Sequence, residues 1–170
     1  AVGVYSFAAM LVEGYNQLSV VIRNLVNPIM TTTYAREGTK GLQQLTRKVR
    51  RYSAMVLMPL GLMAVLAFPM LQLFMEKKFV MQAWIVFAGL MLGAIASQGY
   101  MPLQMVFNQV GRPGTQTLLI GWLYVTEILL NLILVPFFGF FGSTAATGIT
   151  FAMQIIYMRL FSRRYLGVTL

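Results

Sequence analysis

The sequence predicts an all-α fold: a polytopic membrane helix bundle of five transmembrane helices. Three observations lead there. The chain of 170 residues is 58% hydrophobic and only 10% charged, whereas an ordinary soluble domain is about 25% charged. Apolar runs near the roughly 20 residues needed to cross a bilayer recur between turn-forming segments. The first of them, residues 4–30, also carries polar side chains that step by three and four. On a helix turning about 100° per residue, Glu13, Asn16, Gln17, Arg23, Asn24 and Asn27 share one face about 120° wide. Phe7, Leu11, Leu18, Val21, Ile22 and Leu25 occupy the other. A charge inside a bilayer costs roughly 2.5–3.5 kcal/mol even on the lenient insertion scale, so the stripe is expected to line a protein interior or a wet cavity. Glu13 and Arg23 are separated by about 15 Å along the helix axis, so each needs a partner other than the other.

Taken in order, the remaining elements follow from local signals. Pro28 falls near the end of the first span, and the polar, glycine-bearing residues 31–41 predict a loop. Leu42, Leu45, Val49 and Tyr52 recur at helical spacing among Arg47, Lys48, Arg50 and Arg51, which predicts a basic amphipathic linker helix (38–52) at the membrane surface. The second span, 53–75, is almost wholly apolar and is expected to face lipid; its Pro59 and Pro69 predict kinks. Residues 76–78 turn the chain. The third span, 80–108, places Trp84 near an interface and Ser97, Met101, Gln104 and Asn108 on one face. Gly89, Gly93, Ala94 and Ala96 in it allow close helix contact. The sequence GRPG at 111–114 is a tight turn. The fourth span, 115–136, carries Thr117, Gly121, Tyr124, Glu127 and Asn131 on one stripe, with Glu127 near mid-span. After a turn at 137–143, the fifth span, 144–161, aligns Thr147, Thr150, Gln154 and Tyr157.

The residue inventory excludes several chemistries. The acids are Glu13, Glu37, Glu76 and Glu127, and there is no Asp, His or Cys. Metal sites built on His or Cys, thiol nucleophiles, Ser-His-Asp triads and disulfides are therefore absent, and neither an enzyme nor a cofactor is expected. The net charge of +9 sits mostly beside spans, where it reads as a topology signal and lipid contact rather than a nucleic-acid surface. Ten basic residues (Arg36, Lys40, Arg47, Lys48, Arg50, Arg51, Arg112, Arg159, Arg163 and Arg164) fall on one side of the predicted membrane, and Lys77 and Lys78 on the other. The ten-residue side is expected to be cytoplasmic. The N-terminus of this chain would then be external and the C-terminus cytoplasmic. Starting outside with Ala1 and no signal pattern predicts a piece of a longer protein.

Ionisable residues inside a bilayer are functional by default, which singles out Arg23 and Glu127, and less strongly Glu13. The plain alternative is a structural ion pair between Arg23 and Glu127. The Asn and Gln stripes serve equally well as interhelical hydrogen bonds or as ligand contacts.

Three stretches carry a family pattern: GVYSFAAML (3–11), RRYSAMVLMPLGL (50–62) and NLILVPFFGFFGSTAATGIT (131–150). Their order and spacing resemble the oligosaccharide (O-antigen, Wzx-type) flippases of the MOP superfamily, relatives of the MATE exporters. The resemblance implies the C-terminal part of a 12–14-helix MATE-like transporter in the cell inner membrane. It implies transfer of undecaprenyl-pyrophosphate-linked oligosaccharide from the cytoplasmic to the outer leaflet in polysaccharide biosynthesis, by alternating access. Arg23 would meet the pyrophosphate, and Asn16, Gln17, Asn24, Asn27, Gln104 and Asn131 the sugar. Glu127 and Glu13 would couple transport to an ion. Implied partners are membrane lipids, the polyprenyl-linked glycan, and glycan polymerase and chain-length proteins. Two other readings stand beside it: a MATE-like, cation-coupled exporter of small molecules, and a non-transporting membrane subunit of a polysaccharide assembly complex.

Overall fold

Gly38 sets the architecture. In the computed structural model, which describes residues 2–168, the first helix, α1, runs from Val2 to Ala67 with one non-helical residue, Gly38, at φ 63° and ψ −147°. A side chain is all but excluded from that backbone region. The chain folds back there: the Tyr15 hydroxyl donates to the Leu57 carbonyl oxygen at 2.6 Å, across 42 residues. α1 is thus a helical hairpin with arms 2–37 and 39–67. This corrects two expectations. The predicted loop at 31–41 is helix on either side of Gly38, the one residue of the run whose backbone leaves the helix. The basic segment 38–52 is not a separate surface helix but the start of the second arm.

The second arm ends at Ala67 and tightens into a 3₁₀ turn, Phe68–Leu73, with Pro69 in its first turn. α2 follows from Lys77 to Ser97. The expectation of one helix over 80–108 does not hold. Pro102 has no N–H for the Gln98 carbonyl, and its ring would clash there. The chain instead passes through a 3₁₀ turn, Met101–Leu103, and a short helix α3, Val106–Gln109. Gly111, at φ 75°, completes the reversal. α4 runs from Pro113 to Phe138, with proline at its first position, where a missing N–H costs nothing. Gly139, at φ 57°, is the whole link to α5, Phe140–Phe161, so the predicted seven-residue turn shrinks to one residue. A π turn, Ser162–Leu166, closes the described chain. Every described element is helical, and three helices are apolar and long enough to cross a membrane by length and composition: α1 with its 3₁₀ extension, α2 and α4.

Two apolar cores are stacked along the molecule. One joins Val4, Ala8, Val12, Tyr15, Leu57 and Phe68 to the α2 face from Val80 to Ile95. The other joins Met30 and Leu42 to Tyr100, Leu103, Phe107, Leu119, Met158 and Leu166. The basic chain reversals near Gly38, Arg112 and Arg163 belong to the second end, and Lys77 and Lys78 to the first. Between the cores lies a buried polar layer. Gln98, fully buried, accepts from the Ser19 hydroxyl and donates to Asn16 Oδ1 at 3.3 Å. Both ends of the amide are satisfied, which a buried polar layer requires.

α2 and α5 cross where their side chains vanish. A Cβ on Gly93 would lie 2.6 Å from the Gly148 carbonyl oxygen, and one on Gly89 would lie 2.9 Å from Thr144 Cγ2. The small residues let the backbones touch, as at membrane helix crossings. Gly93→Ala is therefore expected to lower stability by about 1–3 kcal/mol, the usual cost of overpacking. Gly121→Ala meets open space and should be neutral or slightly stabilising. Chemical unfolding in detergent micelles distinguishes the two, and equal effects would contradict the packing.

Candidate functional site

α4 packs against α5, with a small contribution from α3, and leaves a gap between itself and the first arm of α1. That gap is a cleft of about 650 Å³. Its floor is the polar stripe of the first arm: Glu13, Asn16, Gln17, Ser19, Val20 and Arg23. Met101 and Gln104 from the broken segment after α2 close one end, and Tyr124 of α4 with Phe151 of α5 supplies an aromatic wall. Gln104 follows directly on the 3₁₀ turn at Met101–Leu103.

Hydrogen bonds fix the floor. The Arg23 guanidinium donates to Gln104 Oε1 at 3.1 Å. Gln104 is held in turn through its carbonyl oxygen, which accepts from Gln116 Nε2 at 2.7 Å. Gln17 Nε2 donates to Glu13 Oε1, one helical turn away, at 2.7 Å. Asn16 is buried against Gln98, so it is a structural group whose edge reaches the cleft. Of the five guanidinium donors on Arg23, one engages Gln104, which leaves the group able to receive an anion. The cleft has a carboxylate towards one end and a guanidinium towards the other, with amides and hydroxyls between.

The nine residues singled out from the sequence divide. Glu13, Asn16, Gln17, Arg23 and Gln104 meet in the cleft. Asn24 does not line it: it is exposed on α1, because the cleft takes only the part of the stripe that α4 and the broken segment cover. Asn27 is half-buried beyond the cleft, with its Oδ1 buried and without a hydrogen-bond partner. Glu127 and Asn131 belong elsewhere. They line an apolar groove on α4 with Ile128, Leu132, Val135 and Pro136. Glu127 Oε1 accepts from the Thr147 hydroxyl of α5 at 2.7 Å, and Asn131 Nδ2 donates to the Glu127 carbonyl oxygen at 2.9 Å. The pairing of Arg23 with Glu127 is not formed, since Arg23 engages Gln104 and Glu127 engages Thr147.

The hairpin also sets Arg23 beside the second arm. Ile22 and Val26 share a groove with Val49, Tyr52 and Ser53, which puts Arg23 level with Arg50. It belongs to a level of the molecule that other basic residues share and is not a solitary cation. Ser19, Phe151 and Gln98 were missed from the sequence. Ser19 sits at the margin of the stripe, and the other two lie on helices whose approach to α1 no local spacing reveals.

Comparison with protein-family models, with curated proteins and with solved structures finds no match for this chain.

Proposed function

We propose that this chain is part of a flippase-type membrane transporter, which carries a polyprenyl-pyrophosphate-linked oligosaccharide from the cytoplasmic to the outer leaflet by alternating access. The observation that carries the reading is the cleft: a polar, partly charged groove on the first arm of α1, packed beside a second arm whose apolar stretch is long enough to span a bilayer. Intramembrane charge is retained against its insertion cost where a pathway needs it. Arg23 is suited to a phosphate oxygen pair, and Gln17, Glu13 and Gln104 to sugar hydroxyls. Amides, one guanidinium and one carboxylate suit binding rather than covalent chemistry. The five-span topology, with the basic end cytoplasmic in an inner membrane, belongs to the same proposal.

A second reading, export of small cations, draws on Glu13 in the same cleft. Reconstitution separates the two. Vesicles containing the intact protein and a fluorescent polyprenyl-pyrophosphate glycan are expected to expose the inner-leaflet label to an impermeant quencher faster than protein-free vesicles. An unchanged rate, with uptake of an organic cation in its place, would overturn the flippase reading.

A further inference from the structure

On the far side of the segment that supplies Gln104 is a cluster with no role in the cleft. Tyr100, buried, is the hub of two arginines from distant helices. Arg50 of the second α1 arm donates through Nη1 to the Tyr100 hydroxyl at 3.1 Å, and Arg159 of α5 donates through Nε at 2.7 Å. Both guanidinium carbons also lie 5.5 Å from the ring centroid, within cation–π range. A phenol oxygen has two lone pairs, and these two donors take both. Arg47 and Arg51 line the same hollow, of about 480 Å³, and no carboxylate does. Beneath the charges its wall is apolar: Ala54 and Met58 continue the Arg50 face one and two turns along, and Ala96 faces them from α2.

Four like charges lining one hollow repel one another. Bringing two guanidinium groups together has a cost that the tyrosine only partly offsets, and an anion between them would reverse the sign of that interaction. Each of the two pinned guanidinium groups uses one of its five donors on the phenol, so planar, paired N–H groups remain for a tetrahedral oxyanion. Gly99 permits the close approach: a Cβ there would lie 3.0 Å from Arg50 Cγ. Charge at one end and an apolar wall at the other match a molecule with the same division.

We propose that the Arg50–Tyr100–Arg159 cluster is a phosphate-binding site for a membrane phospholipid, with Arg47 and Arg51 as its outer rim and Ala54, Met58 and Ala96 against the glycerol and acyl region. The site is independent of the cleft and stands whether or not the cleft carries a glycan.

The test uses the intact protein in nanodiscs of phosphatidylcholine doped with phosphatidylglycerol, with retained lipid counted by native mass spectrometry after mild detergent exchange. The wild type is expected to retain the anionic lipid. Arg50→Gln/Arg159→Gln should reduce retention at least tenfold, while Arg163→Gln/Arg164→Gln, which removes the same charge, should leave it within twofold. Tyr100→Phe keeps the ring and the charges but removes the acceptor; a several-fold loss is expected, and it serves as the deciding variant if the double substitution does not accumulate. A second arm titrates inorganic phosphate and pyrophosphate into pure phosphatidylcholine nanodiscs by calorimetry. Weak or absent heat supports a lipid phosphate, and tight saturable binding of the soluble anion would replace the lipid with a free phosphate source. Equal losses from both double variants, or none from either, would overturn the site.

Discussion

Arg23→Ala is expected to reduce glycan-lipid transport by roughly ten- to a hundredfold while leaving protein abundance near wild type. The size follows from a hydrogen bond to a charged group, worth about 1.5–3 kcal/mol, at 1.4 kcal/mol per decade. Abundance should hold because Gln104 remains tied through its backbone to Gln116, and the amide that Arg23 leaves is only half-buried at the edge of an open cleft. Arg23→Lys should restore part of the activity: it returns the charge but not the planar fork that meets two phosphate oxygens. The measurement is leaflet transfer in reconstituted vesicles alongside the amount of protein in the membrane. Wild-type transfer by Arg23→Ala would remove the residue from the substrate path.

The second large effect is expected at Glu127. Glu127→Gln keeps shape and still accepts the Thr147 hydroxyl, so the α4–α5 contact should survive. It can no longer gain and lose a proton or hold a cation as a carboxylate. Transport driven by an imposed ion gradient is expected to fall at least tenfold, while exchange without a gradient continues. A fall in both modes together with lost protein would mark a structural residue, and gradient-driven transport equal to wild type would exclude coupling. The Arg23 and Glu127 effects should also be nearly additive, because the two residues engage different partners and face different grooves.

Helices were legible where apolar spacing is regular, and the floor of the cleft was legible because one helix carries it whole. The partners of that floor were not. Gln98 and Gln104 lie on a segment whose course depends on Pro102 breaking a helix, and the proline could equally have produced a bend. The polar run at 31–41 looked like a loop because polarity was read as irregularity; in the structure those side chains are mostly exposed on helix either side of Gly38. Glu127 shares its predicted stripe with Tyr124, yet Tyr124 lines the cleft and Glu127 a separate groove on α4. Rotation of a nearly apolar helix is set by what packs on it, and its own sequence encodes that weakly. The Tyr100 cluster joins residues 50 and 59 positions apart, a separation at which no spacing rule operates.

Under the membrane reading, the reversal at Gly38 bears on how the chain is made. The first arm, bearing Glu13 and Arg23, is a poor candidate to leave the translocation machinery for lipid alone, since each charge opposes partitioning. The second arm, basic at its start, is strongly apolar from residue 53 onward and is synthesised directly after it. A one-residue bend brings the two together with little loop to close, so the loss of chain freedom is small and pairing can precede release. The polar arm would then enter the bilayer as half of a hairpin, sheltered along its Tyr15 face by Leu57 and Gly61. A side chain at position 38 would act before the finished fold exists, by delaying that pairing, and its signature would be chains held at the translocon or degraded in place of a less stable mature protein.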